Sequence, residues 1–494
     1  MTVPARSLAE LAAAAPELIG CRGQATITGL AHDSRVVKPG DLFFCVRGKH
    51  HDGHDFAADA LGRGAAALVV ERALGLGCPE LETASVRRAM GPVSSAFYGH
   101  PARWMTMIGV TGTNGKTTVV SLLGSILAAA GFRPEVLGTL TGSLTTPESL
   151  DLQRRLAGWL SAGVDVVAME VSSHALHQHR VDGIRFDAAV FTNLTPEHLD
   201  YHRTDEGYFA AKARLFTPDL AARAVINRGD EHGDRLAHQS RIPTVGYDPR
   251  RLMVRFRTPP QAKLQAGGRP SWGMVMRWRG QDVRLPLMGR FNAANALAAA
   301  ETALLLGVGV PEVVAGLESA VPVPGRFEVI GSNRPFTVVV DYAHTPDGLA
   351  QVLAAARELV TGSGCLRVVF GCGGDRDAGK RPMMGRAAAR LADQVIVTSD
   401  NPRFEDPETI IHNVLSGVSE TGGVGERGGA LVALVDRRAA IARGLAEASE
   451  GDVVVVAGKG HETVQVVEDR EIPFDDRAVI REILGRKSQG EFAR

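Results

Sequence analysis

Short uninterrupted apolar runs, each closed by glycine or by charge, set the rhythm of this chain. Residues 1–104 carry DLFFCVRG and AAALVV and finish on the aromatic, proline-bearing stretch AFYGHPARW, the pattern of a small α/β domain followed by a boundary. From Met105 the rhythm changes. MTMIGVTG is the kind of continuous apolar run that forms a strand buried on both faces, and VVSLLGSILAAAG, one loop later, has helical period and stops at Gly131. VDVVAME, ending at Glu170, and DAAVFTNL, containing Asn193, predict two more buried strands. Strands alternating with helical segments predict a mainly parallel, doubly wound sheet with ligands at the carboxyl ends of its strands. Between 248 and 290 the composition turns to Pro, Gly, Arg and Met, and the alternation in WGMVMRW predicts an antiparallel hairpin region. NAANALAAAETALLLG is helical and closes this central part, and VPVPGRFE, broken by two prolines and Gly325, predicts a linker. Beyond it TVVVDYA, LRVVFGCGG, DQVIVTSD and DVVVVAGKG, with helices between, predict a second α/β unit.

Length and composition narrow the possibilities. At roughly 100 to 200 residues per domain, 494 residues imply two to four domains. A hydrophobic share of 45% and a charged share of 22% are those of a globular protein. Lys plus Arg equals Asp plus Glu at 55 each, which removes the overall electrostatic footprint of a nucleic-acid or anionic-membrane binder and leaves only local basic sites. Cys21, Cys45, Cys78, Cys365 and Cys372 are dispersed and never spaced as CxxC, so reduced thiols are expected rather than a disulfide framework or structural zinc. No secretory start is present, and no apolar stretch approaches the roughly 18 residues of a membrane span. A cytoplasmic protein with no nucleic acid and no membrane insertion is the expectation.

The strongest chemical signal is GVTGTNGKTT, between a predicted strand and a predicted helix. Glycines let backbone N–H groups close around phosphate oxygens, the helix N-terminus adds positive potential, Lys116 can reach terminal phosphates and the Thr117 hydroxyl can coordinate magnesium. The general pattern GxxxxGKT needs glycine at 110, where this chain has Val110, so the loop is a variant.

In this loop the chain resembles the Mur ligase family, whose members share TGTNGKTT-type loops, and the resemblance runs nearly end to end. It implies three domains: 1–104 for a UDP-sugar, 105–322 as a central parallel-sheet P-loop domain for ATP, and 323–494 as a C-terminal Rossmann-like α/β domain for an amino acid. It implies ATP contacts from Gly112, Thr113, Asn114, Gly115, Lys116, Thr117 and Thr118. Asn292 and Asn295 in GRFNAANALAA, Arg326 in PGRFE, and Asp341 with His344 in DYAHTPD match further nucleotide-contacting positions, although each alone is ordinary. The ATP site is then expected to be completed when the last domain closes over the central one.

Three more residues gain a role only through the resemblance. Glu170 in MEVSSH, by itself a strand-end carboxylate, matches a magnesium ligand alongside Thr117. His198 in TPEHLDYH, by itself a surface or capping histidine, matches a ligand of a second magnesium. Lys212 in YFAAKARLF, by itself a solvated helix residue, matches a lysine carbamylated to N6-carboxylysine, which turns a cation into an oxygen ligand. Lys116, Lys212 and His198 are the catalytic residues implied.

AHDSRVVKPGDLFFCVRGKHHDG, otherwise a hairpin with a polar tip, is similar to the uridine-binding motif of the branch that adds the third residue of the peptidoglycan stem. It nominates His32, Ser34, Lys49, His50 and His51 for the nucleotide-sugar. Thr145, Thr146, Ser172, Gln178 and Arg180 match central-domain contacts to the same substrate, Arg180 suiting its acidic groups, while Leu144 stands where some relatives carry asparagine. DNPR, formed by Asp400, Asn401, Pro402 and Arg403, is in bland terms a strand leaving into an Asn-Pro turn. In this branch it accompanies selection of meso-diaminopimelate, which is lysine with an additional carboxylate, and a planar guanidinium takes a carboxylate bidentately. Arg376 in GGDRDAGKRP, and Gly458 and Glu462 in AGKGHE, match other positions at the amino acid, Glu462 accepting its ammonium groups. The implied reaction is ATP-dependent addition of meso-diaminopimelate to UDP-N-acetylmuramoyl-L-alanyl-D-glutamate through an acyl-phosphate. Two rivals stay open on the sequence: a folylpolyglutamate synthetase, whose loop lies close to the amino terminus, and a P-loop switch or transport ATPase, for which no NKxD motif or ABC-like signature is present.

Overall fold

Each apolar run singled out in the sequence is a strand in the computed structural model, which describes residues 4–48, 51–142, 144–257, 273–330, 334–424 and 429–490, the side chains of 257 and 486–490 excepted. The chain forms two compact units, one of Met1–Leu194, Phe209–Tyr247 and Ala298–Gly316, the other of Thr195–Tyr208, Asp248–Leu297 and Leu317–Arg494.

The first unit opens with a sheet of β1 (Leu18–Arg22), β2 (Gly29–Ala31), β3 (Asp41–Phe44), β4 (Ala67–Val70) and β5 (Glu80–Thr83), ordered β1-β5-β4-β3-β2 and parallel except for β1. Helix α1 (Val86–Phe97), capped by Ser85, turns Val86, Ala89, Met90, Val93 and Phe97 into a core with Leu42, Phe44, Val69 and Leu81. That spacing of three and four keeps one helix face apolar. Gly91 crosses so close to the Asp182 carbonyl oxygen that any Cβ would overlap it.

The second sheet of this unit contains β6 (Thr106–Thr111), followed by helix α2 (Lys116–Ala129), then β7 (Pro134–Leu137), helix α3 (Ser149–Ser161), β8 (Val166–Glu170), β9 (Ala188–Phe191), helix α4 (Asp205–Ala213), β10 (Ala224–Asn227) and β11 (Thr244–Tyr247). Its order is β11-β10-β9-β6-β8-β7 and every pairing is parallel. β6, β8 and β9 are buried along their length bar Thr106. The edge strands β7 and β11 are only partly buried, which is why no continuous apolar run marks them.

In the second unit β12 (Met253–Arg257), β13 (Gly273–Trp278) and β14 (Gln281–Leu285) form the expected antiparallel region, and helix α5 (Arg290–Leu305) follows. The last sheet holds β15 (Glu328–Ile330), β16 (Thr337–Asp341), β17 (Leu366–Phe370), β18 (Gln394–Thr398), β19 (Leu431–Leu434) and β20 (Val453–Ala457), ordered β15-β16-β20-β17-β18-β19 and parallel except for β15. Helix α6 (Arg437–Ala446) precedes β20. The hairpin β21 (Val464–Val467) with β22 (Arg470–Pro473) and helix α7 (Asp476–Gly490) come after it. VPVPGRFE belongs to no helix and reaches β15 only at its final glutamate, in keeping with a linker.

The five cysteines are free thiols, and burial pushes Cys45 and Cys372 up to about 12. Both are packing residues rather than nucleophiles. Among the described residues no helix is long and apolar enough to cross a membrane.

Arg437 and Asp476 open α6 and α7 and form a bidentate pair, Nε to Oδ1 at 2.8 Å and Nη2 to Oδ2 at 2.7 Å, with both side chains 0% exposed. The same guanidinium donates to the carbonyls of Ser399 (3.3 Å) and Ala457 (3.0 Å), bracing the ends of β18 and β20. Removing one partner strands a buried charge. Asp476→Asn is therefore expected to lower stability by about 3–5 kcal/mol in urea unfolding, while Arg437→Met with Asp476→Leu recovers most of that loss.

Candidate active site

β6 lies between β8 and β9 where the connections of the sheet diverge to both sides, a switch point at which loops open for a ligand. Val110 is inside β6, fully buried and in register with Val190 and Glu170, so the position that usually starts a phosphate loop is here part of the strand. The loop begins at Gly112 and is pinned from β9: Thr113 N donates to the Asn193 carbonyl (2.9 Å), Asn114 N to Asn193 Oδ1 (2.9 Å), and Thr192 Oγ1 to the Asn114 carbonyl (2.6 Å). A Cβ at Gly112 would fall inside the Thr192 hydroxyl, and Gly115 caps α2 at φ +89°, so both glycines are required by geometry. Lys116, the first residue of α2, donates from Nζ to the carbonyls of Gly112 and Thr113, both at 2.8 Å. Thr117 and Thr118 are buried in the first turn. Lys212, 1% exposed on α4, donates to the same Gly112 carbonyl at 2.9 Å, so two ammonium groups meet one oxygen.

Glu170 ends β8 at 1% exposure and takes hydrogen bonds from Thr139 N (2.9 Å) and Thr139 Oγ1 (3.3 Å), with no ion pair to a described residue. A Cβ at Gly138 would overlap its carboxylate. Thr117, Thr141 and Glu170 line one cleft of about 400 Å³. A buried anion held by neutral donors beside a hydroxyl fits a divalent cation that keeps phosphate and water among its ligands. Among the described residues no three His, Cys, Asp or Glu form a metal-holding group. His198, in the second unit, caps the short helix Leu199–His202 at φ +58°, with Nε2 3.7 Å from Glu197 Oε2.

The expected nucleotide residues of the second unit fall into two groups. On α5, Asn295 Nδ2 donates to Asn292 Oδ1 (3.2 Å) and Asn292 Nδ2 to the Met288 carbonyl (2.8 Å). At the end of β16 the buried Asp341 carboxylate accepts from Phe327 N (2.6 Å) and Ala343 N (2.7 Å), tying the PGRFE segment to the strand. Burial raises its carboxyl above the ordinary range, against the opposing pull of Arg326. Arg326 lies over the Tyr342 ring (4.4 Å), which also meets the rings of His344 (4.7 Å) and His461 (5.0 Å), and His344 Nε2 is 3.2 Å from Glu197 Oε1. Burial, with Arg326 adding to it, holds His461 down to about 4, so it is neutral. Tyr342, His461 and Glu197 were not singled out in the sequence, although Tyr342 sits inside DYAHTPD.

Around β8 the structure gathers Thr145, Thr146, Ser172, Gln178 and Arg180. Thr145 Oγ1 is 3.1 Å from Thr139 Oγ1, and Thr146 Oγ1 donates to the Glu170 carbonyl (2.9 Å) and accepts from Ser172 N (3.1 Å). Arg180 donates to the Thr146 carbonyl (3.0 Å) and Gln178 Oε1 (2.7 Å) and pairs with Glu148 (3.0 Å), whose other oxygen pairs with Arg87 of α1 (2.9 Å). Leu144 is exposed. His32, just after β2, lies 3.6 Å from Asp151 of α3. Ser34 is buried in a turn that Asp33 caps, and the exposed His51 meets the Phe56 ring edge-on at 6.0 Å. Lys49 and His50 lie outside the described residues.

DNPR leaves the end of β18. Asp400 is buried, its carboxyl raised by that burial, and Gly458 (φ +114°) passes too close to its Oδ2 for any side chain. Arg403, at φ +52°, donates from Nη1 to the Gly374 carbonyl (2.8 Å), and burial together with the neighbouring Arg376 guanidinium lowers its pKa. Arg376 is exposed, and Asn401 Nδ2 donates to Glu462 Oε2 at 2.9 Å. Pro402 is buried between Asn401 and Arg403. The sequence reading passed over the hairpin β21–β22, whose backbone joins the loop through Arg403 N to Val466 O (3.1 Å) and Glu468 N to Arg403 O (2.8 Å). The alternation in VQVVEDREIP was the available signal.

Three family descriptions match in succession: Mur ligase family, catalytic domain, over 26–95; Mur ligase middle domain over 110–303; and Mur ligase, glutamate ligase domain, over 325–460. The chain is 44% identical over 476 residues to the UDP-N-acetylmuramoyl-L-alanyl-D-glutamate--2,6-diaminopimelate ligase of Geobacillus kaustophilus, covering 93% of this chain and 95% of that protein. The chain belongs to the Mur ligase family. As a Mur ligase it has the three-domain α/β architecture of its relatives. A solved UDP-N-acetylmuramoyl-L-alanyl-D-glutamate--2,6-diaminopimelate ligase matches with a TM-score of 0.62 at 33% identity, over 94% of this chain and 96% of that one. A MurF ligase of Thermotoga maritima in complex with ADP shares the fold at a TM-score of 0.62 and 18% identity, over 94% of this chain and 98% of that one.

Two measurements check this geometry. Gly112→Ala in this Mur ligase is expected to weaken ADP binding roughly ten- to hundredfold in calorimetry, the equivalent of about 1–3 kcal/mol of forced backbone strain. The Asp151 carboxylate 3.6 Å away raises the pKa of His32 above the ordinary 6.5, so its stabilising contribution is complete below pH 6.5 and is lost as pH rises through the raised value. Melting temperatures of native protein and His32→Gln should differ at low pH and converge at high pH.

Proposed function

We propose that this Mur ligase adds meso-2,6-diaminopimelate to UDP-N-acetylmuramoyl-L-alanyl-D-glutamate, converting ATP to ADP and phosphate, as a cytoplasmic monomer of peptidoglycan precursor synthesis. In this reading residues 1–104 hold the UDP-sugar, 105–322 hold ATP and 323–494 hold the amino acid. The observation that carries it is the Arg403 guanidinium, fixed on the Gly374 carbonyl near Arg376, within the same strand-end cluster as the Glu462 carboxylate. Paired cationic and anionic groups suit an amino acid with an additional carboxylate, and L-lysine lacks that second carboxylate.

A carboxylate resists attack by an amine. The D-glutamate side-chain carboxylate therefore first takes the terminal phosphoryl group, giving an acyl-phosphate and ADP. The uncharged amine then attacks the acyl carbon, a C–N bond forms, the C–O bond to phosphate breaks, and phosphate and a proton leave. Lys116 and the N–H groups of Gly112 to Thr118 would grip the phosphates, while Asn292, Asn295, Arg326, Asp341 and His344 would hold the rest of the nucleotide. Thr117 and Glu170 would hold one magnesium, and His198 with a carbamylated Lys212 a second. Bound magnesium supplies charge neutralisation at the transferring phosphoryl group. Carbamylation of Lys212 would also replace one of the two cations at the Gly112 carbonyl with an anion. His32, Ser34, Lys49, His50 and His51 would contact the uridine part, and Thr145, Thr146, Ser172, Gln178 and Arg180 the sugar-peptide.

Phosphate release should require ATP, the UDP-dipeptide and meso-diaminopimelate together, with L-lysine a poor replacement; equal rates for the two amino acids would sink the assignment of Arg403. Arg403→Ala is expected to lower kcat/KM for meso-diaminopimelate roughly a hundredfold, about 3 kcal/mol, and to narrow the preference over lysine. Lys212→Ala should be inactive, with partial rescue by short carboxylates. Native mass spectrometry should show a labile CO2 adduct.

A further inference from the structure

Lys459 follows β20 between Gly458 and Gly460, both at positive φ, and its side chain is 0% exposed. A buried ammonium is tolerated only where fixed partners surround it. Here Nζ donates to Asn401 Oδ1 and to Glu462 Oε2, each at 3.0 Å. Asn401 Nδ2 donates to the same Glu462 Oε2 at 2.9 Å, closing a triangle of three side chains. Val466 N adds a second donor to Asn401 Oδ1 at 2.9 Å, which fixes the orientation of the amide. Glu462 Oε2 is thus occupied by two donors, while Oε1 takes no hydrogen bond from a described residue, on a side chain that is 29% exposed.

We propose that Lys459 is a positioning residue of the amino-acid site: it locks Asn401 and Glu462 into one arrangement and leaves Glu462 Oε1 as the acceptor for an ammonium group of the incoming amino acid. This rests on the assignment of Glu462 to the amino acid made above and supplies what holds it there. Each end of the amino acid carries both signs of charge, so the direct Coulomb effect of Lys459 on it largely cancels and the geometry of the acceptor decides. Without Nζ, Asn401 Oδ1 and Glu462 Oε2 each lose a donor in a buried setting, and the carboxylate is free to turn toward solvent.

The test is a set of Michaelis constants for all three substrates in native protein, Lys459→Met, Glu462→Gln and the double variant. Lys459→Met should raise KM for meso-diaminopimelate tenfold or more and leave those for ATP and the UDP-dipeptide within twofold. The double variant should be no worse than Glu462→Gln, because Lys459 acts through that carboxylate. An unchanged or lowered KM for meso-diaminopimelate, equal changes in all three constants, or multiplicative losses in the double variant would overturn the proposal. Should Lys459→Met not fold, NMR of native protein labelled at lysine Nζ decides. A solvent-protected ammonium signal that shifts with meso-diaminopimelate and not with ADP supports the role, and an unmoved signal refutes it. Failure of the functional reading shows separately, as native protein that releases no phosphate with meso-diaminopimelate.

Discussion

In a parallel sheet the strands all end on the same edge, and the placement of Glu170, Thr192, Asn193, Asp341 and Asp400 follows from that constraint. In the first unit Glu170 is in register with Val110, and Phe191 with Thr111, so the carboxylate of β8 and the Thr192–Asn193 pair after β9 flank the loop that β6 sends out. In the second unit Asp341 is in register with Ala457 and Ala457 with Phe370, which sets the DYAHTPD, GKGHE and GGDRD segments side by side. A slip of one residue in any of these pairings would turn each strand-end side chain to the opposite face.

On that edge the chain buries charge. Glu170, Lys212, Asp341, Asp400 and Lys459 are all nearly inaccessible. Such groups are costly to desolvate, and Glu170, Lys212, Asp341 and Lys459 are held by hydrogen bonds that fix their direction. Fixed charge needs little reorganisation when a phosphoryl group moves or an amine attacks, which is where electrostatic catalysis draws its strength. The Arg437–Asp476 pair serves the same end one layer below, clamping the last carbonyls of β18 and β20 so that the loops above them start from fixed points.

The sequence made much of this legible. Buried parallel strands announce themselves because both faces are apolar, so β3, β4, β6, β8, β9, β16, β17, β18 and β20 stood out as continuous runs. The phosphate loop was readable because its glycines answer to steric demands, the Thr192 hydroxyl at Gly112 and the left-handed cap at Gly115. Edge strands β7, β11 and β19 were not readable, since a strand with one neighbour can leave a face to water. The hairpin β21–β22 is mostly half-exposed or exposed and left no apolar run. Lys459, Tyr342 and His461 were harder to read for another reason: Lys459 meets Asn401 58 positions away and the Tyr342 and His461 rings meet across 119, which no local pattern records.

Glu148 joins three parts of the first unit, with one oxygen on Arg180 and the other on Arg87 of α1, close to where Gly91 crosses the Asp182 carbonyl. This junction limits how the chain can be recombined. A first domain borrowed from another family member would need both a basic residue at the Arg87 position and a glycine at the Gly91 position to seat on the same surface. Without them the graft would free Glu148 on one side and release Arg180 from its present direction, even with every residue after the join unchanged. Exchanging the amino-terminal segment alone would therefore disturb the direction of Arg180, although no residue beyond the join had changed.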